Sequence, residues 1–125
     1  MMTRDQNGFS LIELLMVIVM IGVLAGTAIA QYSSYRSRSV DSKVVSVVRH
    51  VATGQEAYYS GHFTYTPDAN ALTGVAIDGV TIAIAAGNSG DLATSFRVEG
   101  SHPAAGRSYV WVSDPEPGMP HLLEN

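Results

Sequence analysis

The sequence contains no cysteine, so no disulfide framework, thiolate zinc site or catalytic thiol is available. Positive charge is scarce: 7 Lys+Arg against 11 Asp+Glu give a formal net charge of −4, the opposite of the basic footprint that nucleic-acid binding favours. Proline is absent before Pro67, so the first half of the chain lacks the residue that most often breaks a helix. The histidines His50, His62, His102 and His121 show no metal-ligand spacing, and no serine lies in a nucleophile-elbow context. Catalysis therefore has no support in the sequence, and the composition calls for no metal and no cofactor.

The scarcest commodity is polarity between Leu14 and Ala30, where Thr27 carries the only strong hydrogen-bonding side chain. As a helix that stretch is about 25 Å long, and adding Phe9 to Ile12 brings it close to the hydrocarbon thickness of a bilayer. A lone carboxylate, Glu13, stands at its start. A charge in that setting costs about 2.5–3.5 kcal/mol on insertion scales, which makes it a functional residue in need of a partner. Gly22-Val23-Leu24-Ala25-Gly26 adds a small-xxx-small spacing that permits close helix approach. Gly22 and Gly26 also weaken the helix by up to about 1 kcal/mol each relative to Ala.

The run Gly8-Phe9-Ser10-Leu11-Ile12-Glu13 and the apolar stretch behind it resemble the N-terminal motif of type IV pilins and of the pseudopilins of type II secretion. The resemblance covers about Gly8 to Tyr35. It implies a leader of residues 1–8, cut between Gly8 and Phe9 on the cytoplasmic side by a prepilin peptidase that also N-methylates Phe9. It further implies that one subunit's Glu13 meets the freed α-amine of a neighbour's Phe9. Each ion then neutralises the other in a dry core, and breaking the pair leaves an uncompensated buried charge costing several kcal/mol. Many relatives carry a proline in the second half of this helix and unwind near it in the filament; unwinding between Gly22 and Ala30 here would rest on the glycines and Thr27 alone. Many also close a C-terminal loop with a disulfide, which this chain cannot do.

Two other readings of the first 30 residues compete. Ala28-Ile29-Ala30 imitates a secretory cleavage site, but the apolar run is longer than the roughly 7–15 residues of an ordinary signal peptide. Arg36, Arg38 and Lys43 after the helix outweigh Arg4 and the Met1 amine, so the positive-inside rule weakly favours a cytoplasmic head. The resemblance implies a head outside the cytoplasm, and its motif is far more specific than that charge count.

From Arg36 the composition turns polar while the helical period continues. Val40, Val44, Val47, Val51 and Tyr58 form one stripe with Val48 beside it. Gly54 takes the remaining slot, leaving room for a sheet to approach. Ser42, Ser46, Arg49, Thr53 and Glu56 cover the opposite side, flanked by Lys43 and His50; Val45 is the exception. Ser60-Gly61 is the expected stop. Strands are expected at Val80–Ile84 after the Asp78-Gly79 turn, at Thr94–Glu99 and at Gly106–Ser113. Turn clusters at 87–91 and 100–106 make an antiparallel meander of three or four strands packed on the valine stripe. The tail from Asp114, with Pro115, Pro117 and Pro120, reads as irregular. Asp114 and Glu116 are too few for a calcium site and read as a solvated turn.

The expected fold is α+β and pilin-like: a long N-terminal helix, hydrophobic at 9–35 and amphipathic in its second half, with residues 36–125 forming the soluble head. The expected function is that of a type IV pilus subunit, polymerising through its helix into an extracellular filament from which adhesion, motility or DNA uptake follow. Its partners are identical subunits, the prepilin peptidase, the assembly machinery and, before assembly, the inner membrane. The alternatives are a pseudopilin of a periplasmic pseudopilus, and a receptor or enzyme for which the helix is only an anchor. Phe9, Tyr32, Tyr35, Tyr58, Tyr59, Phe63 and Tyr65 all lie on or just beyond the helix. They invite a reading as stacked electron carriers, but Tyr32 and Tyr35 serve equally as interfacial anchors and the rest as packing between helix and sheet.

Overall fold

A computed structural model describes residues 8–125; the expected leader, apart from Gly8, lies outside the described residues. The chain divides between Tyr35 and Arg36 into two units. One helix, α1 (Leu11–His62, 52 residues), contributes to both.

Among the described residues of the first unit α1 has no layer to pack on. Leu11, Ile12, Val23, Leu24 and Ile29 are all exposed. The helix is regular through Gly22, Gly26 and Thr27, whose hydroxyl donates to Leu24 O at 3.0 Å.

In the second unit the valine period does what it predicts. Valine is a weak helix former because its branched side chain is stiff at χ1, so burial has to hold this half of α1. Val44, Val48 and Val51 are fully buried, with Val47 and Ala52 nearly so. They pack on a four-stranded antiparallel sheet in the order β1-β2-β3-β4. Its strands are β1 (Thr81–Ala86), β2 (Phe96–Ser101), β3 (Tyr109–Val112) and β4 (Leu122–Glu124). Ile77-Asp78-Gly79-Val80 makes the tight turn before β1, with φ 42° and 80° at its centre and Val80 N donating to Ile77 O at 3.0 Å.

Register decides which side chains face the helix. Ile84 pairs with Val98, Val98 with Trp111, and Trp111 with Leu122, so all four share the face toward α1. Gly100 lies on that face too. A Cβ there would run into Val48 Cγ2 and stand 3.2 Å from Val44 Cγ1, so only glycine lets strand and helix close to this distance. On the other face Val110 and Val112 are also buried, because the segment from Pro115 to Met119 and Leu123 of β4 lie over them.

Four expectations are corrected. The tail is not irregular to its end: Leu122–Glu124 pairs with β3, and Ser108 and Asn125 exchange backbone hydrogen bonds at 3.3 and 3.0 Å. The neighbour of Gly54 is a loop rather than the sheet, since a Cβ there would sit 2.9 Å from Val75 Cγ2 and 3.5 Å from Leu72 Cβ. The helix stops at His62 rather than at Ser60-Gly61, with Phe63 taking the left-handed conformation (φ 55°) that glycine usually takes. Phe63 N donates to Tyr59 O at 2.8 Å to close that last turn. Finally, Phe9 and Phe63 are exposed and do not pack between helix and sheet.

A polar residue in the buried stripe locks the helix exit. Gln55 is fully buried, its Nε2 donating to Thr66 O at 2.6 Å while its Oε1 accepts from Thr66 N at 3.0 Å. The side chain thus satisfies both backbone groups of a buried loop residue, as a neighbouring strand would. Aromatic contacts reinforce the exit: Tyr65 stacks on Tyr59 at 4.7 Å between ring centroids and meets Phe96 at 4.6 Å.

Candidate functional site

The residues singled out at the helix start fall into three local settings. Gly8, Phe9 and Ser10 precede α1 and are exposed; a Cβ added to Gly8 would find nothing within 4 Å. The bond between Gly8 and Phe9 therefore lies in a non-helical stretch of backbone, uncrowded among the described residues.

Glu13 sits in the first turn of α1, and Ser10 N donates to its Oε2 at 2.9 Å. Leu14 N donates to Ser10 O at 3.2 Å. Ser10 is thus the N-cap and Glu13 the third helical residue reaching back to it, one half of a capping box. A carboxylate here also faces the positive end of the helix dipole. The Ser-x-x-Glu spacing is itself a sequence signal for this cap, which the reading of Glu13 as an intersubunit ligand passes over. The surroundings are apolar: Phe9, Ile12, Met16, Val17 and Met20 line a shallow depression beside Glu13.

Gly22 and Gly26 make up the third setting. A Cβ at either would meet nothing within 4 Å, so neither glycine relieves crowding within its own unit. An 18-residue window of this part of α1 has mean hydropathy 2.5 and none of it is buried. It is long and apolar enough to cross a membrane, and no described residue of the first unit covers it. Tyr32 and Tyr35 close this segment as exposed rings.

The head gathers no comparable constellation. Among the described residues no three His, Asp or Glu side chains converge. His62 donates through Nδ1 to Tyr58 O at 3.0 Å and stacks on the Tyr58 ring, His102 Nδ1 accepts from Ala104 N at 3.0 Å, and His121 Nδ1 donates to Val112 O at 2.8 Å beside Trp111. His50 is exposed on α1. Asp114 is more than a solvated turn residue. Its Oδ1 accepts from Asn88 N at 3.0 Å and its Oδ2 from Ser89 N at 2.8 Å, while Asn88 Nδ2 donates to Asp114 O at 2.8 Å. Burial pushes this carboxyl up, but the donors from Asn88, Ser89 and Ser95 together hold it below the usual aspartate range. Asp114 thereby ties the β1–β2 turn to the segment after β3. Glu116 is exposed and takes no part in that tie.

Comparison with known proteins gives matches at both scales. The prokaryotic N-terminal methylation motif, as a family profile, matches residues 3–29. A type IV major fimbrial protein, FimA of Dichelobacter nodosus, is 32% identical across 89% of this chain and 84% of its own length. The fimbrial protein EcpC of Eikenella corrodens is 32% identical across 80% of this chain and 69% of its own length. A fimbrial protein of Pseudomonas aeruginosa is 44% identical over 54 residues. That alignment spans 35% of the Pseudomonas protein, so the chain matches about a third of that relative's length.

Proposed function

Because this chain belongs to the type IV pilin family, whose members are structural rather than enzymatic, we propose that it is a pilus subunit that polymerises through the first half of α1. The observation that carries the proposal is the apolar surface from Leu11 to Ile29, exposed throughout and interrupted only by Glu13 and Thr27. Such a surface is stable in lipid or against copies of itself. The membrane holds it before assembly, with the head outside the cytoplasm, and neighbouring helices hold it in the extracellular filament. The relatives that cover most of this chain are fimbrial proteins, which favours a pilus over a pseudopilus.

Maturation and register follow from the local geometry. The peptidase reaches Gly8-Phe9 because the bond lies ahead of the N-cap; cleavage frees the Phe9 amine, which is then methylated. In the separate subunit the Ser10 amide occupies Glu13 Oε2, leaving Oε1 for the Phe9 amine of the next copy. A subunit enters only when its N-terminus reaches the preceding carboxylate, so the ion pair specifies register. Gly22 and Gly26 leave space for close helix approach within the bundle.

Mass spectrometry of filaments sheared from intact cells tests this reading. An abundant peptide beginning at N-methylated Phe9 is the expected result; an uncleaved chain confined to the membrane refutes it. Glu13→Gln separates the two roles of the carboxylate, since the amide oxygen still accepts from Ser10 N but carries no charge. Processing and insertion should persist while filament yield falls about tenfold or more, as for the loss of a buried charge pair. Wild-type yield from that variant refutes the ion pair.

A further inference from the structure

The head of this chain is electrically two-ended. At the end where α1 enters the head, Arg36 and Arg38 are exposed and stand in no ion pair among the described residues. Of the other charges there, Lys43 pairs with Asp78 at 2.7 Å and Arg107 with Glu124, while the Asp41 carboxylate, one helical turn from Arg38, stands in no ion pair among the described residues. Asp41 Oδ1 accepts from Gly106 N at 2.9 Å, which brings the 102–107 turn onto this end of the helix.

At the end where α1 leaves the head, the sign reverses. Glu56, Asp68 and Asp91 are exposed and unpaired with any cation among the described residues. They are neighbours in the fold. Tyr65 OH donates to Glu56 Oε1 at 3.3 Å, Tyr65 N donates to Leu92 O at 2.9 Å, and Gln55 holds Thr66 two residues before Asp68. Asp114 adds to this end through its tie to Asn88 and Ser89. Of the cations nearest this end, Arg97 leans toward Glu99 at 4.0 Å, and Arg49 precedes Glu56 by about two helical turns.

We infer that these two ends bind each other between copies: the Arg36/Arg38 end of one head docks on the Glu56/Asp68/Asp91 end of a copy farther along the filament, offset by about 27 Å rather than by the four helical residues that separate Phe9 from Glu13. The inference rests on the reading of the chain as a filament subunit. An open filament of identical subunits needs a heterologous contact, in which two different patches of one surface match. Charge complementarity across such a contact sets register and suppresses wrong docking. Arg38 and Glu56 are 18 residues apart on one helix, about 27 Å, so the two patches are too far apart to satisfy each other within a head.

The absence of cysteine makes a direct test simple. The full chain carrying Arg38→Cys and Glu56→Cys, assembled on cells and treated with a short bis-maleimide, should give a ladder of covalent multimers on a denaturing gel. Each single variant should give no ladder. Separately, Arg38→Glu and Glu56→Lys should each lower sheared-filament yield about tenfold, and the combined swap should recover most of it, with Trp111 emission unchanged throughout. Normal filaments without a ladder, or wild-type yield from both reversals, overturn the inference and leave the pilus reading intact. Loss of membrane retention in Arg38→Glu at unchanged yield also overturns it, by assigning the arginines to lipid phosphate. No wild-type filaments at all would sink the pilus reading itself.

Discussion

Replacing Gln55 with leucine should destabilise the head more than any change of similar size on α1. Leucine is close to glutamine in volume and suits the surrounding valines, so packing loss is small. What it cannot do is serve Thr66, which is itself buried. The Thr66 carbonyl loses a donor at 2.6 Å and its N–H loses an acceptor at 3.0 Å. Each buried group left unpaired costs about 1–3 kcal/mol, so the pair costs about 2–6 kcal/mol. For a domain of 60–100 residues, each kcal/mol lowers Tm by about 4–8 °C, placing the expected drop at about 10 °C or more. Trp111 is the single tryptophan and lies on the helix-facing side of the sheet, so its emission reports on the head in detergent-solubilised full chain. Glu at position 55 gives a second signature. Its carboxylate would face Thr66 O, so the neutral acid is preferred and its folded pKa rises. The variant should be most stable below the ordinary glutamate range and weaken as pH climbs through the raised value. A Tm drop under about 2 °C for Gln55→Leu, or a Glu variant indifferent to pH, refutes this account of the helix exit.

Gly100→Ala forces a methyl into Val48 and against Val44. It should cost about 1–3 kcal/mol as overpacking, read as a urea midpoint shift at unchanged slope. Asp114 titrates lower in the folded head than when unfolded. Its contribution is therefore present at neutral pH and lost as acid protonates it below the usual aspartate range, and Asn88 and Ser89 amide exchange should quicken there relative to other turns once intrinsic rates are divided out. In Asp114→Asn that acid dependence should vanish.

The sequence makes much of this fold legible, for identifiable reasons. The valines of α1 repeat at helical spacing because one face is buried, so the face can be read before the structure is seen. Asp78-Gly79 marks its turn because both central positions need positive φ. The strands lie within two or three residues of their expected starts, and the misses have physical causes. Leu122–Glu124 is too short to display alternation and follows three prolines, so nothing local distinguishes it from loop. Gln55 looks like surface by composition, although its spacing from Val48 and Val51 places it in the stripe. Gly54 announces a close approach but not what approaches. At the helix start the apolar run makes Glu13 conspicuous for its environment. The capping geometry with Ser10 is equally local, and both roles can belong to one side chain through its two oxygens.

The strand order of the head bears on how it forms. Every strand pairs with the next in the chain, across loops of residues 87–95, 102–108 and 113–121, with no crossover to thread. Short closures of this kind carry little entropic penalty and favour rapid folding. Without cysteine, no oxidation step stands between chain and native state. The head can therefore complete itself at a pace set by hairpin closure rather than by an oxidase.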